Sequence, residues 1–345
     1  MSCFALYRLP YADHYTLVEQ AGTTPLRLRS CTELNGTEGF VVAPFQVTDE
    51  QPIWVIQGNT SMHKAEPRCE AQGARHANAP EEYYAIDFAN FHAQLQAGTL
   101  RKIVLARCAE EQRTRPVDPK ELFLLACSLY PRMFIALASL PDGTCWLTAT
   151  PEILLEGIGS EWRTIALAGT MQLQGDELDG EGEATRWSTK NIQEQRYVAT
   201  YIAECLERFS LDFREEGPRT VRAANLVHLR SDFTFSLQSH EPVGNLLQEL
   251  HPTPAVCGLP KREAFSFIVK HEHTPRQYYS GFMGPLGLDA ETHLYVSLRC
   301  MQITETKYRL YAGGGLLKES RLEQEWQETE AKMLTMRRLL SSLTP

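Results

Sequence analysis

Three features of the 345-residue sequence predict an α+β fold of large, mostly antiparallel β-sheets layered with outer helices. Strand-like and helix-like blocks do not alternate strictly, which argues against a doubly wound parallel sheet. Two long helical patterns, at 181–209 and 320–342, carry apolar stripes that need a surface to cover. A hydrophobic content of 43% with 22% charged residues suffices for one large core. The expected organisation is a single unit over 1–345, with a less typical β-rich part at 1–80 and a core that carries the chemistry at 81–345.

Taken in order, the first segment offers short β-like runs, "GFVVAPFQV" and "PIWVIQG", and no nameable chemistry. An exposed loop is expected at 72–80. Tyr84, Phe88, Phe91 and Leu95 then recur at helical spacing until Gly98 offers a stop. The β-branched run "RKIVLARC" (101–108) reads as a strand, as do "MFIALASL", "CWLTATPEILLEG" (145–157), "WRTIALAGT" (162–170), "THLYVSLRCMQI" (292–303) and "YRLYAGGG" (308–315). Shorter helices are expected at 118–128, 242–250 and 260–270. No repeat at solenoid periods and no low-complexity tract is present.

A net charge of −9 without a Lys/Arg stripe disfavours nucleic-acid binding. An anionic small substrate would need local charge compensation. The nine cysteines are scattered, without a CxxC pair or zinc-ligand spacing, and read as buried reduced thiols. The start, "MSCFALYRLPYADHY", lacks the pattern of a signal peptide, and no apolar run reaches membrane-spanning length. The expectation is a cytoplasmic protein with no membrane partner.

The stretch "LEQEWQETEAK" (322–332) holds four glutamates. Ser320 followed by Glu323 has the spacing of a capping box, so a helix is expected to start there. At 100° per residue, Leu322, Trp326, Thr329, Met333, Met336 and Leu340 form a buried stripe. Glu325 and Glu328 flank it on one side, Glu323 and Glu330 on the other. A carboxylate pair at i, i+3 repels itself unless a cation or proton intervenes; a solvated surface pair near Lys332 is the competing reading. On the other long helix, Val198, Tyr201, Ile202, Cys205 and Phe209 define the apolar stripe, and Glu194 lies one turn earlier on the same line. Two carboxylates and waters satisfy Mg²⁺, so Glu194 and Glu328 could share one if the helices meet. A buried salt bridge from Glu194 to an arginine is the alternative.

Lys102 shares a strand face with Val104 and Ala106, so its ammonium could point inward, where desolvation would make it usable as a base. An edge-strand lysine reaching water is the more common case. Glu152 follows a strand directly in "TATPEILLE", with surface exposure as the simpler reading. The glycines of "AGGG" (312–315) allow close backbone approach to a ligand, or a tight turn. Arg299 alternates with apolar neighbours and could grip a carboxylate or join an internal ion pair.

The blocks "KIVLARC", "TATPEILLE", "ALAGT", "STKNIQEQRYV", "NLVHL", "LHPTPAVCGLP", "YYSGFMGPLG", "VSLRCMQI", "LYAGGGLLKES" and "EWQETEAK" resemble, in this order, the chorismate-using enzymes, and most of all the isochorismate synthases. The resemblance spans roughly 100 to 340 and implies an anthranilate synthase-like fold. It implies that Lys102 is the base that activates water for attack at C2 of chorismate and Glu152 the acid that protonates the departing C4 hydroxyl. It further implies Mg²⁺ ligands at Glu194 and Glu328 with Glu325 in support. His228, Arg299 and the backbone of Gly313, Gly314 and Gly315 would bind substrate, as would Ala168, Gly169, Thr170 and Tyr279. Asn191 departs from the family's usual acidic residue, Gln195 replaces a histidine, and Asn225 and Val227 also differ. Relatives that use ammonia lack a lysine at the Lys102 position, so water is the expected nucleophile and no glutaminase partner is expected. The resemblance thus points to a monomeric isochorismate synthase, with menaquinone synthesis preferred over a siderophore route. Salicylate synthases, which go on to eliminate pyruvate, and a non-catalytic chorismate-binding protein are the alternatives.

Overall fold

The computed structural model describes residues 3–20, 22, 24–65, 81–113, 116–172, 186–210, 212–223, 226–237 and 243–342. The loop expected at 72–80, the start of the 181–209 pattern and Asn225 lie outside the described residues. Six helices lie among them: α1 (Glu82–Gln96), α2 (Pro119–Leu129), α3 (Thr189–Leu206), α4 (Val243–Leu250), α5 (Lys261–His271) and α6 (Leu322–Ser341). Each falls on a predicted pattern. None is long and apolar enough to cross a membrane.

Two nine-stranded antiparallel sheets form the centre. The first runs in the order Gly258–Leu259, Lys102–Gln112, Lys307–Leu316, Cys300–Ile303, Cys145–Thr150, Phe134–Ser139, Cys3–Arg8, His14–Gln20 and Asn59–Lys64. The second runs Arg214–Ala223, Leu226–Ser236, Glu161–Gln172, Ile153–Ile158, Glu291–Val296, Phe282–Leu286, Gly39–Ala43, Ile53–Ile56 and Leu26–Leu28. The N-terminal strands therefore complete both sheets.

Side chains from both sheets, among them Phe40, Phe134, Trp146, Ile165 and Tyr295, fill the space between them. The outer face of the second sheet packs on α3 and α4 through Val198, Ile202, Leu246 and Leu247. The outer face of the first packs on α2 and α6 through Leu122, Phe123, Met336 and Leu339. The predicted stripes on α3 and α6 are what these interfaces bury.

Three local expectations are corrected. The run 292–303, read as a strand, breaks and changes sheets at 297–299; the run 145–157 does the same at Pro151–Glu152, where Glu152 follows directly on a strand end as expected. The glycines 313–315 lie inside an extended strand and form no turn. The capping box is absent: Arg321 is the N-cap of α6 and its side chain makes no cap bond, while Ser320 accepts the Leu317 N–H at 3.0 Å. Glu323 is exposed, and Glu330 is buried.

Candidate active site

The two corners at Pro151–Glu152 and 297–299, where the chain passes from one sheet to the other, lie side by side. The Val296 amide donates to the Glu152 carbonyl at 2.9 Å, Thr148 Oγ1 to the Leu298 carbonyl at 2.7 Å, and the Ala149 amide to the Arg299 carbonyl at 3.3 Å. These bonds hold Arg299 at φ 45°, a left-handed conformation that side-chain-bearing residues adopt rarely. Arg299 is thus on a corner and not within a strand, and Glu152 is buried and not on the surface.

Next to the corners, the ladder between Glu161–Gln172 and Leu226–Ser236 is irregular between Ala168 and Thr170, around Gly169 with φ 71°. The Gly169 carbonyl accepts from His228 Nδ1 at 3.0 Å. His228 Nε2 then accepts from Arg299 Nη2 at 2.6 Å. Burial, with Arg299 and Lys332 nearby, pushes the imidazole well below its usual range, so it is neutral. Burial also lowers Arg299 to about 10, with Tyr130 and Glu152 opposing, which leaves it cationic at neutral pH. Its Nη1 donates to the Ala223 carbonyl at 3.3 Å, so the expected internal ion pair is not what holds it.

One pocket is lined by Glu152, His228, Arg299, Glu194 and Tyr279, by Ala168, Gly169 and Thr170, and by Gly313 and Gly315. Pro151, Leu167 and Leu298 supply apolar wall. Burial raises the Glu152 carboxyl to about 8, although Lys102, Lys332 and Arg299 pull the other way. At neutral pH it is a buried acid that still holds its proton.

The glycine strand explains its own composition. A Cβ at Gly315 would sit 2.0 Å from Glu194 Oε1 and 3.1 Å from Lys102 Cε, and one at Gly313 would meet the Tyr279 hydroxyl at 2.9 Å. Gly314 points to the other face of the strand, where a Cβ would lie 3.1 Å from Glu325 Oε2 and 3.8 Å from Glu328 Oε1. Gly315 leaves room for Glu194 of α3 and Gly314, on the opposite face, for Glu325 and Glu328 of α6, while Gly313 leaves room for Tyr279.

Each of those acids is matched by a lysine. Lys102, with no solvent exposure, has Nζ 3.0 Å from Glu194 Oε1, so it is not an edge lysine reaching water, and the buried salt bridge of Glu194 is to a lysine and not to an arginine. Glu325 is ion-paired with Lys190, and Glu328 with Lys332 at 2.8 Å. Lys332 also donates to the Gly313 carbonyl at 2.8 Å. Burial would raise Glu194, but Lys102, Lys190 and Lys332 together hold it below the usual carboxylate range. Glu325 is raised, by burial first and by Glu328 second, with Lys190 opposing. The Lys190–Glu325 pair joins the first turns of α3 and α6, the condition on which the shared-cation reading of the sequence depended.

The donor set suits a hard divalent cation: three carboxylates approach one glycine strand, Glu194 at Gly315 and Glu325 and Glu328 at Gly314, and Glu325 Oε2 is buried without a hydrogen-bond partner. As they stand, no three acidic, His or Cys groups among the described residues are disposed as a coordination shell. The departures Asn191 and Gln195 are both buried, and Gln195 Nε2 ties α3 to the Ala166 carbonyl at 3.1 Å and to Ser231 Oγ at 3.3 Å. Lys190 and Lys332 were not legible as site residues, although both fall within the motif blocks "STKNIQEQRYV" and "EWQETEAK". A lysine four residues from a glutamate on a helix is ordinarily a surface pair.

Comparison with known proteins places these features. The isochorismate synthase MenF of Escherichia coli strain K12 is 33% identical over 245 residues, covering 70% of this chain and 56% of the relative. EntC of the same strain, an isochorismate synthase, is 31% identical over 238 residues, covering 68% and 61%. The salicylate biosynthesis isochorismate synthase of Pseudomonas aeruginosa is 32% identical over 284 residues, covering 80% and 58%. The chain thus aligns with about three fifths of the length of these relatives. In fold, the crystal structure of DhbC from Bacillus anthracis matches with a TM-score of 0.84 at 24% identity over 98% of this chain and 96% of that one. That of MenF from Escherichia coli matches with a TM-score of 0.81 at 24% identity over 98% and 88%. Residues 46–341 match the family described as chorismate binding enzyme, and with most of its length and its whole fold accounted for in this way, the chain belongs to that family.

Proposed function

We propose that the chain is an isochorismate synthase, which isomerises chorismate by adding water at C2 and losing the C4 hydroxyl. The observation that carries the reading is Glu152, a pocket-lining carboxyl kept protonated to about 8, facing the chamber that Glu194 and Gly315 also line, with Lys102 beside both. Hydroxide is a poor leaving group and water a poor nucleophile, so the reaction needs an acid and a base at separate ends of one conjugated ring. Lys102, after giving up its own proton, takes one from water as the oxygen bonds to C2. The ring double bonds shift, and Glu152 gives its proton to the departing C4 oxygen, which leaves as water. Arg299, oriented by His228, pairs with a substrate carboxylate, and the backbone of Gly313 to Gly315 admits the other close to the strand.

Glu194 and Glu328, with Glu325 in support, would hold Mg²⁺, which when bound neutralises a substrate carboxylate and fixes its orientation. The dianion is then compensated locally in a protein of net charge −9. The similarity to MenF, a menaquinone-specific enzyme in Escherichia coli, supports assigning the product to menaquinone synthesis. A strain lacking the gene but keeping its menaquinone would reject that assignment.

The test incubates the purified chain with chorismate and Mg²⁺, with and without EDTA, and separates products by chromatography. Isochorismate formed only with free Mg²⁺ supports the proposal. Salicylate with pyruvate would replace it by salicylate synthase, and the absence of turnover by a binding protein. A glutaminase subunit is not needed when water is the nucleophile, and activity of the chain alone tests this.

A further inference from the structure

We propose that Lys190 is a built-in counter-ion that competes with the divalent cation for Glu325 and sets the metal affinity of the site; this rests on the magnesium reading above. Three acids, Glu194, Glu325 and Glu328, face three lysines, Lys102, Lys190 and Lys332, in separate pairs. The cluster is therefore neutral without a metal. A cation that takes Glu325 must displace the ammonium already there, since a carboxylate held by a lysine presents little negative charge to a second cation.

The three lysines differ in how easily they can leave. Lys102 has a side-chain exposure of 0% and its aliphatic stem lies against the Gly315 backbone, so its head group cannot swing out to bulk solvent. Lys332 is tethered twice, to Glu328 and to the Gly313 carbonyl, both at 2.8 Å. Lys190 stands on the first turn of α3, two residues after the N-cap Ser188, with its side chain 24% exposed. Its one ion-pair partner among the described residues is Glu325. A swing about its own side-chain bonds returns the ammonium to solvent and uncovers a carboxylate whose second oxygen, Oε2, is already buried and without a partner.

The charges that act most strongly on Lys190 are all negative. The glutamates of α6 and Glu194 are the negative charges that Lys190 faces. The same pair that brings α3 and α6 together in the metal-free protein is thus what the metal has to replace.

The experiment titrates the substrate-free protein with MgCl₂ by calorimetry and repeats the titration on Lys190→Gln and Lys190→Arg. Removal of the competing charge should tighten Mg²⁺ binding by about tenfold in Lys190→Gln, the order of one partly screened charge pair. Lys190→Arg keeps the charge and should bind no more tightly than the wild type. As a second readout, the melting temperature of Lys190→Gln should fall in EDTA, because Glu325 loses its counter-ion, and Mg²⁺ should raise it by more than it raises the wild type. Unchanged or weaker Mg²⁺ binding in Lys190→Gln beside a wild type that binds would overturn the role of Lys190 and leave the magnesium reading intact. Binding by neither protein would overturn both.

Discussion

Replacing Glu152 by Gln tests the centre of the mechanism through stability as well as rate. In an unfolded chain this carboxyl loses its proton near its ordinary value of 4.5, whereas in the folded protein it keeps it to about 8. Between those values the folded state binds more protons than the unfolded state, so raising the pH destabilises it. The loss levels off above the folded value. At about 1.36 kcal/mol per pH unit, the wild type should lose about 4 kcal/mol relative to the Gln variant between about pH 5 and about pH 8. The amide has the same shape and no charge to bury, so the variant lacks this slope. Urea unfolding of both proteins at several pH values measures it, and the difference between the two curves removes every other titrating group. Turnover should behave in the matching way: kcat/KM of the wild type falls about tenfold per pH unit above about pH 8, and the variant loses about two to four orders of magnitude at neutral pH. A stability difference that stays constant with pH would mean that Glu152 is not held protonated by burial, and undiminished turnover would remove it from proton transfer.

Lys102→Ala should lower kcat by about two to four orders of magnitude in the same product assay, and a variant that keeps full activity would exclude Lys102 as the base. Gly315→Ala, whose Cβ would meet Glu194 Oε1 at 2.0 Å, should separate Glu194 from Lys102 and abolish most activity while far-ultraviolet circular dichroism stays unchanged; wild-type kinetics would show that the close approach is dispensable. Arg107 is buried against α6, donating from Nε to Thr329 Oγ1 at 2.7 Å, pairing with Glu330 and stacking 3.6 Å over Trp326. Arg107→Met should destabilise the protein by about 2–4 kcal/mol in urea, because buried Glu330 loses one cation while still paired with Arg337 at 2.6 Å. Adding Glu330→Leu should restore part of the loss, and no restoration would show that the buried charge is not the cause.

Much of this was legible from periodicity and motif order. The helices, most strands, the antiparallel layering and the stripes on α3 and α6 follow from where apolar residues recur, because any fold must bury those faces. Glu152, Glu194, His228, Arg299 and Tyr279, which line the pocket, were also nameable, since their motifs occur in order along the chain, whereas Lys102, Gly314, Glu325 and Glu328 are not part of that lining. Other features depend on what lies across the sheet or helix interface. Glu152 and Lys102 look like surface residues in isolation, and only the two adjoining corners and the closely packed glycine strand bury them. Ser320 and Glu323 have capping-box spacing, yet packing of the preceding loop turned Ser320 to the Leu317 amide. The sequence by itself determined the elements and the cast of chemical groups, through local spacing. The tertiary structure decided which charges are buried and which cation faces which anion, because desolvation and Coulomb terms depend on neighbours that come from distant parts of the chain.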